Sequence, residues 1–101
     1  MVQVIWAEPA LGDLDEIYRF IAKDSPRYAR LMVERLTAAA DRLGEFPQLG
    51  EVLPQFAHRG YRQLVVGVYR LVYREDTRRG RVIVVAAIHG ARDFPPFPEN
   101  R

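Results

Sequence analysis

YRQLVVGVYRLVYREDTRRGRVIVVAAIHGAR, residues 61–92, is the stretch whose reading decides the fold. Three β-type runs follow one another with short breaks, at 61–64, 68–74 and 81–88. Val, Ile, Leu and Tyr dominate them, and β-branched and aromatic side chains suit a pleated, half-buried surface. The second run partly alternates in character. The third is apolar at every position from Val82 to Ile88. That is the pattern of a central strand covered on both sides, with a short buried helix as the alternative that periodicity leaves open. The polar segment 75–80 ends in Gly80 and closes a hairpin.

The first break is subtler. A three-residue loop, Val65-Val66-Gly67, puts the glycine where the backbone needs positive φ. Leu64 then opposes Val68, and Arg62 opposes Arg70 on one face. A two-residue loop, Val66-Gly67, puts the two arginines on opposite faces, because a one-residue slip flips every side chain. The three-residue loop is the preferred reading because it gives the glycine a steric reason. Like charges held opposite one another destabilise a hairpin, so such a pair points to an anionic partner. Solvated strand arginines are the plainer alternative.

Working outward, residues 44–60 carry Pro47, Gly50, Pro54 and Gly60, and read as an irregular connection pinned by Phe46, Leu49, Leu53 and Phe56. Before it lie two helical patterns. Pro9 suits the first turn of a helix, followed by apolar Leu11, Leu14, Ile17, Tyr18 and Ile21, with Asp13, Asp15, Glu16 and Arg19 facing outward. Ser25 caps a second helix begun by Pro26, with a stripe of Ala29, Met32, Val33, Leu36, Ala40 and Leu43 before a stop at Gly44. So short a join makes an antiparallel αα-hairpin. Residues 2–6 read as a strand, and Trp6, Tyr18 and Phe20 as core aromatics. The order is β-α-α-β-β-β: an α+β fold with a helical hairpin on one face of a mainly antiparallel sheet. The other face carries Arg62, Arg70 and Arg74.

A chain of 101 residues is expected to be one domain, with a short Pro-rich tail at 94–101. There is no cysteine, no apolar run near the ~20 residues needed to span a bilayer, and no signal-like start, so the expected compartment is cytoplasmic. The net charge of +2 hides an asymmetry. Residues 1–56 hold six basic and nine acidic side chains, net −3; residues 57–101 hold nine basic and four acidic, net +5. The basic half is all arginine, the residue whose planar fork suits carboxylates and phosphates. Base composition of the genome is an equal explanation of the arginine count, but not of its segregation.

No Gly-rich phosphate loop, Ser-His-Asp arrangement or metal-ligand spacing is present, so no cofactor and no metal are expected. His89 is a candidate general acid/base, or a strand-end histidine bonded to backbone. Gly90 suits a sharp turn after the last strand, and Arg92 a pairing with Asp93 or Asp76, or a partner contact.

Several pieces then stand in a familiar order: Trp6-Ala7, Asp13-Leu14 and 17–22; Phe46-Pro47-x-x-Gly50; Tyr61-Arg62-x-Leu64; Gly67-x-Tyr69-Arg70-Leu71-Val72-Tyr73; and Ile88-His89-Gly90-Ala91-Arg92-Asp93. The chain resembles the RelE/ParE superfamily of toxins from bacterial toxin–antitoxin modules, over nearly its whole length. RelE-like members cleave mRNA on the ribosome with basic sheet residues and, in many, a tyrosine after the last strand. Arg62 and Arg70 match basic positions, whereas Leu64 and the tail residues Phe94 and Phe97 depart from that pattern, leaving Arg62, Arg70 and His89 as the catalytic set of such an RNase. ParE-like members poison DNA gyrase, and the His-Gly-Ala-Arg-Asp ending resembles them more. The resemblance thus implies a gyrase inhibitor, with the A subunit as the expected contact. Its target-binding candidates are Arg62, Arg70, Arg74, His89 and Arg92. A cognate antitoxin is implied as partner, with Asp15, Glu16, Arg19 and Arg30 as candidate contacts. No stable DNA binding is expected without it. A detoxified binding module acting with the antitoxin in autorepression is the third reading.

Overall fold

Strand β1 (Gln3–Trp6) leads into helix α1 (Glu8–Ala22) and helix α2 (Pro26–Arg42). Strand β2 (Glu51–Val52) and the long strands β3 (Tyr61–Val66), β4 (Tyr69–Asp76) and β5 (Arg81–His89) follow. These come from a computed structural model that describes residues 1–54 and 59–90. The sheet order is β1-β5-β4-β3-β2, with β1 parallel to β5 and every other pair antiparallel. The expected α+β fold is therefore present, with one strand more than expected. Glu51 and Val52, read as irregular, pair with Gln63 and Arg62.

The helices form for the expected local reasons. Ser25 Oγ accepts from Tyr28 N at 3.1 Å, satisfying one of the donors that a helix start leaves open. Pro26 and Pro9 sit in first turns, where a missing N–H costs nothing. On α2 the predicted stripe is inward, with Ala29, Met32, Leu36, Ala40 and Leu43 buried. On α1 the stripe is rotated from the expected one. Ala10 and Ile17 are buried and Leu14 and Ile21 pack against them, whereas Leu11 and Tyr18 are half exposed. Both sets fit a 3.6-residue period; small Ala10 lets the helix backbone approach the sheet, and that choice wins. Phe20 is 68% exposed, so Trp6, Tyr18 and Phe20 do not form a core cluster, and only Trp6 packs inward.

The β3–β4 turn corrects the preferred register. Val66 pairs with Tyr69, so the loop is the two residues Gly67-Val68, one position later than either loop considered. Gly67 has φ +61° and Val68 does not take positive φ, the pattern of a hairpin turn with glycine first. The glycine thus has its steric reason without a third loop residue. Arg62 opposes Tyr73 and Arg70 opposes Val65, so the two arginines project from opposite faces.

Strand β5 carries a second correction of phase. Val72 pairs with Ala86 but Tyr73 with Val84, which leaves Val85 as an extra, bulged residue. Because 82–88 is apolar throughout, the phase change costs no burial. Val82, Val84 and Ala87 join the helix-side core with Leu36, Leu71 and Tyr73. Val85, Ala86 and Ile88 join a second cluster on the far face with Leu53, Tyr61 and Val72. The strand is covered on both sides, as its composition implies.

The α2–β3 connection is held by one buried hydroxyl. Tyr73 Oη donates to Pro47 O at 2.8 Å and accepts from Gly50 N at 2.8 Å. Gly50 is closed in so tightly that a Cβ there would collide with the Gln63 carbonyl. Arg62 Nη1 completes the clasp by donating to Gly50 O at 2.9 Å. Of the expected apolar pins, Leu53 is buried, Phe46 and Leu49 are half exposed, and Phe56 lies outside the described residues. Removing the hydroxyl strands a buried N–H and a carbonyl, a loss of about 1–3 kcal/mol. Tyr73→Phe is expected to lower stability by that amount in urea unfolding; a change under ~0.5 kcal/mol, the size of an ordinary surface substitution, would show that the clasp is incidental.

Candidate functional site

Three surfaces carry the chemistry of the molecule. The first is a groove of about 620 Å³ on the helix side, where β1 stops and the end of β5 loses its strand neighbour. Asp13, Glu16, Ile17 and Phe20 of α1 form one wall; Tyr69, Ala87 and His89 form the other. Ala7 N donates to Val84 O, the last bond from the β1 side. Beyond it, Asp13 Oδ2 accepts from Ala87 N at 2.9 Å, so a carboxylate replaces the missing strand. Asp13 was expected on the outer face and is instead a clamp between helix and sheet. Tyr69 meets His89 edge-on, ring centroids 5.6 Å apart. Burial pushes the Tyr69 hydroxyl above its ordinary pKa, and nearby Tyr28 adds to the shift. Burial also raises Tyr73 and Glu75 adds to it, while the Gly50 bond and Arg62 oppose.

The second surface is the far face of the sheet. Gln63 and Val65 of β3 lie beside Val72 and Arg70 of β4, with Arg74 further along. Arg70 Nη1 donates to Gln63 Oε1 at 3.2 Å, and Gln63 Nε2 donates to Glu51 Oε1 at 2.7 Å. Since a carboxylate only accepts, Glu51 fixes which end of the Gln63 amide faces Arg70. Arg74 Nε is buried without a hydrogen-bond partner among the described residues. Asp76 and Arg81 bond at 3.0 Å near the β4–β5 turn. Burial acts to raise the Asp76 pKa, but that bond, the Arg81 charge and Arg79 outweigh it and hold the carboxyl below its ordinary value.

The third is the solvated surface of the helical hairpin, where Leu11, Tyr18, Tyr28 and Leu31 are all at least 40% exposed, as is Phe20 at the groove edge. Asp15 and Arg19 pair there at 2.9 Å, both largely solvated. Such a pair is worth only ~0.3–0.5 kcal/mol, so those charges contribute little to the fold. Glu16 and Arg30 are also exposed.

The expected basic face is therefore split. Arg70 and Arg74 lie on the far side, whereas Arg62 lies on the helix side, engaged with Gly50. His89 is the last residue of β5, on the helix side with Tyr69. Gly90 makes its turn through close approach, its N–H donating to Val68 O at 2.7 Å. Arg92 and the Phe94 and Phe97 tail lie outside the described residues. Among the described residues no group of three His, Asp or Glu side chains is placed to hold a metal, and no helix is long and apolar enough to cross a membrane. Sequence reasoning missed Asp13, Gln63 and Glu51. The signal for Asp13 was present: it stands three after Ala10 and four before Ile17, on the inward stripe.

Asp13→Ala is expected to cost about 1–3 kcal/mol by exposing the Ala87 N–H, to speed exchange of that amide, and to be rescued in part by Asp13→Asn, which keeps an acceptor. Unaltered Ala87 exchange in Asp13→Ala would count against the clamp. The raised tyrosines give a pH dependence with a defined sign. Folding favours their neutral form, so this stabilisation is complete below the unfolded value near 10 and is lost as pH rises through the higher folded values. In titrations followed at 295 nm, Tyr69→Phe should remove a late-ionising component; a curve missing only an early component would contradict the assignment.

Comparison with known proteins agrees with this architecture. Residues 4–94 match the family described as the ParE toxin of the type II toxin–antitoxin system parDE. The chain is 40% identical over 92 residues to Toxin RelE2 of Caulobacter vibrioides, covering 91% of this chain and 99% of that one. Among solved structures it is similar to the chromosomal ParDE system of P. aeruginosa, with a TM-score of 0.72 at 20% identity, covering 88% of this chain and 96% of that one. It is also similar to the RelBE2 toxin–antitoxin complex of Mycobacterium tuberculosis, with a TM-score of 0.60 at 25% identity over 87% and 96%. For the isolated E. coli RelE toxin the TM-score is 0.65 at 17% identity over 92% and 88%. With the helical hairpin on a five-stranded sheet in place, and with a family match running from β1 past β5, the chain belongs to the ParE toxins of type II toxin–antitoxin systems, within the RelE/ParE superfamily.

Proposed function

We propose that this toxin inhibits DNA gyrase, so blocking replication in the cytoplasm, and that a cognate antitoxin neutralises it. The observation that carries the choice of target is the side of the sheet each candidate occupies. General acid–base cleavage of RNA needs its groups within hydrogen-bond reach of one reacting centre. Arg62 is turned to the helix side and held by Gly50 O, while Arg70 and Arg74 project from the opposite face. Leu64, where a second basic group would serve such chemistry, packs against the core. No tyrosine follows Tyr73 in the sequence. A gyrase inhibitor needs only a surface, and the far face with Arg70 and Arg74 supplies a basic one.

The runner-up is a ribosome-dependent mRNA interferase, which the likeness to a protein named Toxin RelE2 favours. The antitoxin reading draws on the solvated apolar residues of the helical hairpin, set among Asp15, Glu16, Arg19 and Arg30. Exposed apolar area of this kind marks partner surfaces. The similar M. tuberculosis structure is itself a toxin–antitoxin complex.

Supercoiling by purified gyrase, run beside ribosome-dependent cleavage of mRNA, tests the choice. Lost supercoiling or trapped cleaved DNA with intact mRNA is the expected result, and Arg70→Ala should weaken it at least tenfold. Codon-phased mRNA cuts with gyrase unaffected would replace this reading with the RNase.

A further inference from the structure

We propose that the end of the β3–β4 hairpin is the surface with which the toxin grips its target, and that it fits an apolar protein patch flanked by carboxylates. The proposal rests on the gyrase reading, since it takes gyrase as the target. Val65, near the end of β3, and Val68, in the turn itself, are both solvated, 64% and 57% exposed. Residues at a hairpin tip are ordinarily polar or glycine, so the exposed methyls of Val68, with those of Val65 just before the turn, have no explanation in the turn itself. Between Val68, Arg70 and His89 lies a depression of about 420 Å³, and among the described residues no acidic side chain lines it.

Two guanidinium groups stand near these valines. The Arg35 guanidinium, reaching up from α2, lies so close to Gly67 that a Cβ there would touch its nitrogens at 3.4 Å. Arg70, on the strand beyond, is aimed by Gln63, which Glu51 orients in turn. A guanidinium already held in place loses little further rotamer entropy on binding. The helical face differs: its apolar residues are interspersed with acids and bases, as at Asp15 and Arg19. The hairpin end thus presents methyl groups beside two cations, Arg35 and Arg70, complementary to an acidic rim around an apolar patch. Nucleic acid is the poorer fit. Branched methyls offer no face for bases to stack on, and Tyr69, the aromatic ring nearest the turn on β4, is only 6% exposed.

The experiment uses the full chain in the gyrase supercoiling assay, with Val65→Thr/Val68→Thr and Arg70→Gln. Threonine preserves β-branching and nearly the same volume, and circular dichroism checks folding. The double variant should raise the inhibitory concentration at least tenfold. Arg70→Gln should raise it several-fold and flatten its dependence on salt. Wild type that inhibits gyrase with the threonine variant equally potent would overturn the proposal while leaving the gyrase reading intact. Wild type that leaves gyrase active would remove that reading and the proposal with it. Two further results would overturn it by naming another occupant: binding of poly-U RNA that the threonines abolish, or a wild-type dimer that they dissociate.

Discussion

A strand has two sides, and two local features decide which side each functional candidate occupies. The Gly67-Val68 turn sets the phase of β3 against β4, sending Arg62 toward the helices and Arg70 away from them. The bulge at Val85 resets the phase of β5, so that Ala87 and His89 join Val82 and Val84 on the helix side. Were Val85 paired in a regular ladder instead of bulged, Ala87 would oppose Arg70 and leave the core beside α1, and His89 would share Arg70's face. Each feature is one residue in extent, yet each moves a whole half-strand of side chains. The distribution of cations, the groove beside α1 and the apolar cluster under the far face all follow from these two choices of phase.

This explains what could be read from the chain alone. The element order, the Ser25 cap, the inward stripe of α2 and the two-sided burial of β5 rest on composition and period, which local sequence displays. The faces of Arg62 and His89 rest on phase, which it displays poorly here. In 82–88 every residue is apolar, so a bulge leaves no mark in the pattern. At Val65-Val66-Gly67-Val68, three valines fit strand or turn, and only the pairing of Val66 with Tyr69 resolves them. The α1 stripe fails for a related reason: Ala10 and Leu11 both satisfy the helical period, and hydrophobicity favours the wrong one. Close approach to the sheet favours alanine. Strand β2 was missed because two residues carry too little pattern, and its pairing is imposed by β3. Within the site, Arg70, Arg74 and His89 were legible as residues, but the polar chain from Arg70 through Gln63 to Glu51 needs three strands in register.

Long-range ties hold the parts that lack regular pairing. Asp13 reaches across 74 positions of sequence to Ala87, and Tyr73 reaches 26 back to Pro47. Each satisfies a backbone group where the sheet or helix ladder has ended. Such ties decide more than the exposed Asp15–Arg19 pair, because an unsatisfied buried group costs about 1–3 kcal/mol while a solvated ion pair contributes well under 1. The same clasp removes Arg62 from the pool of available cations, so fold stability and the split of the basic face share one cause.

The charge asymmetry of the chain then acquires a spatial meaning. The helical hairpin, residues 8–42, is close to neutral with seven acidic and six basic side chains, whereas the basic excess of 57–101 belongs largely to the sheet and its turns. Even the shortest dimension of the molecule, 21 Å, exceeds the screening length of ~8 Å at physiological salt. Charges on the two surfaces that lie further apart than this act almost independently, whereas Arg35 of α2 reaches the hairpin end and joins its cations. On the proposed reading, that independence lets one partner read the helices through apolar contacts while another is drawn to the cations of the hairpin end. An antitoxin need not imitate the target's acidic patch to compete with it; it has only to cover enough of the molecule that the hairpin end cannot dock. A genomic preference for arginine would raise the count of cations everywhere, and would leave no such division between the helical layer and the sheet.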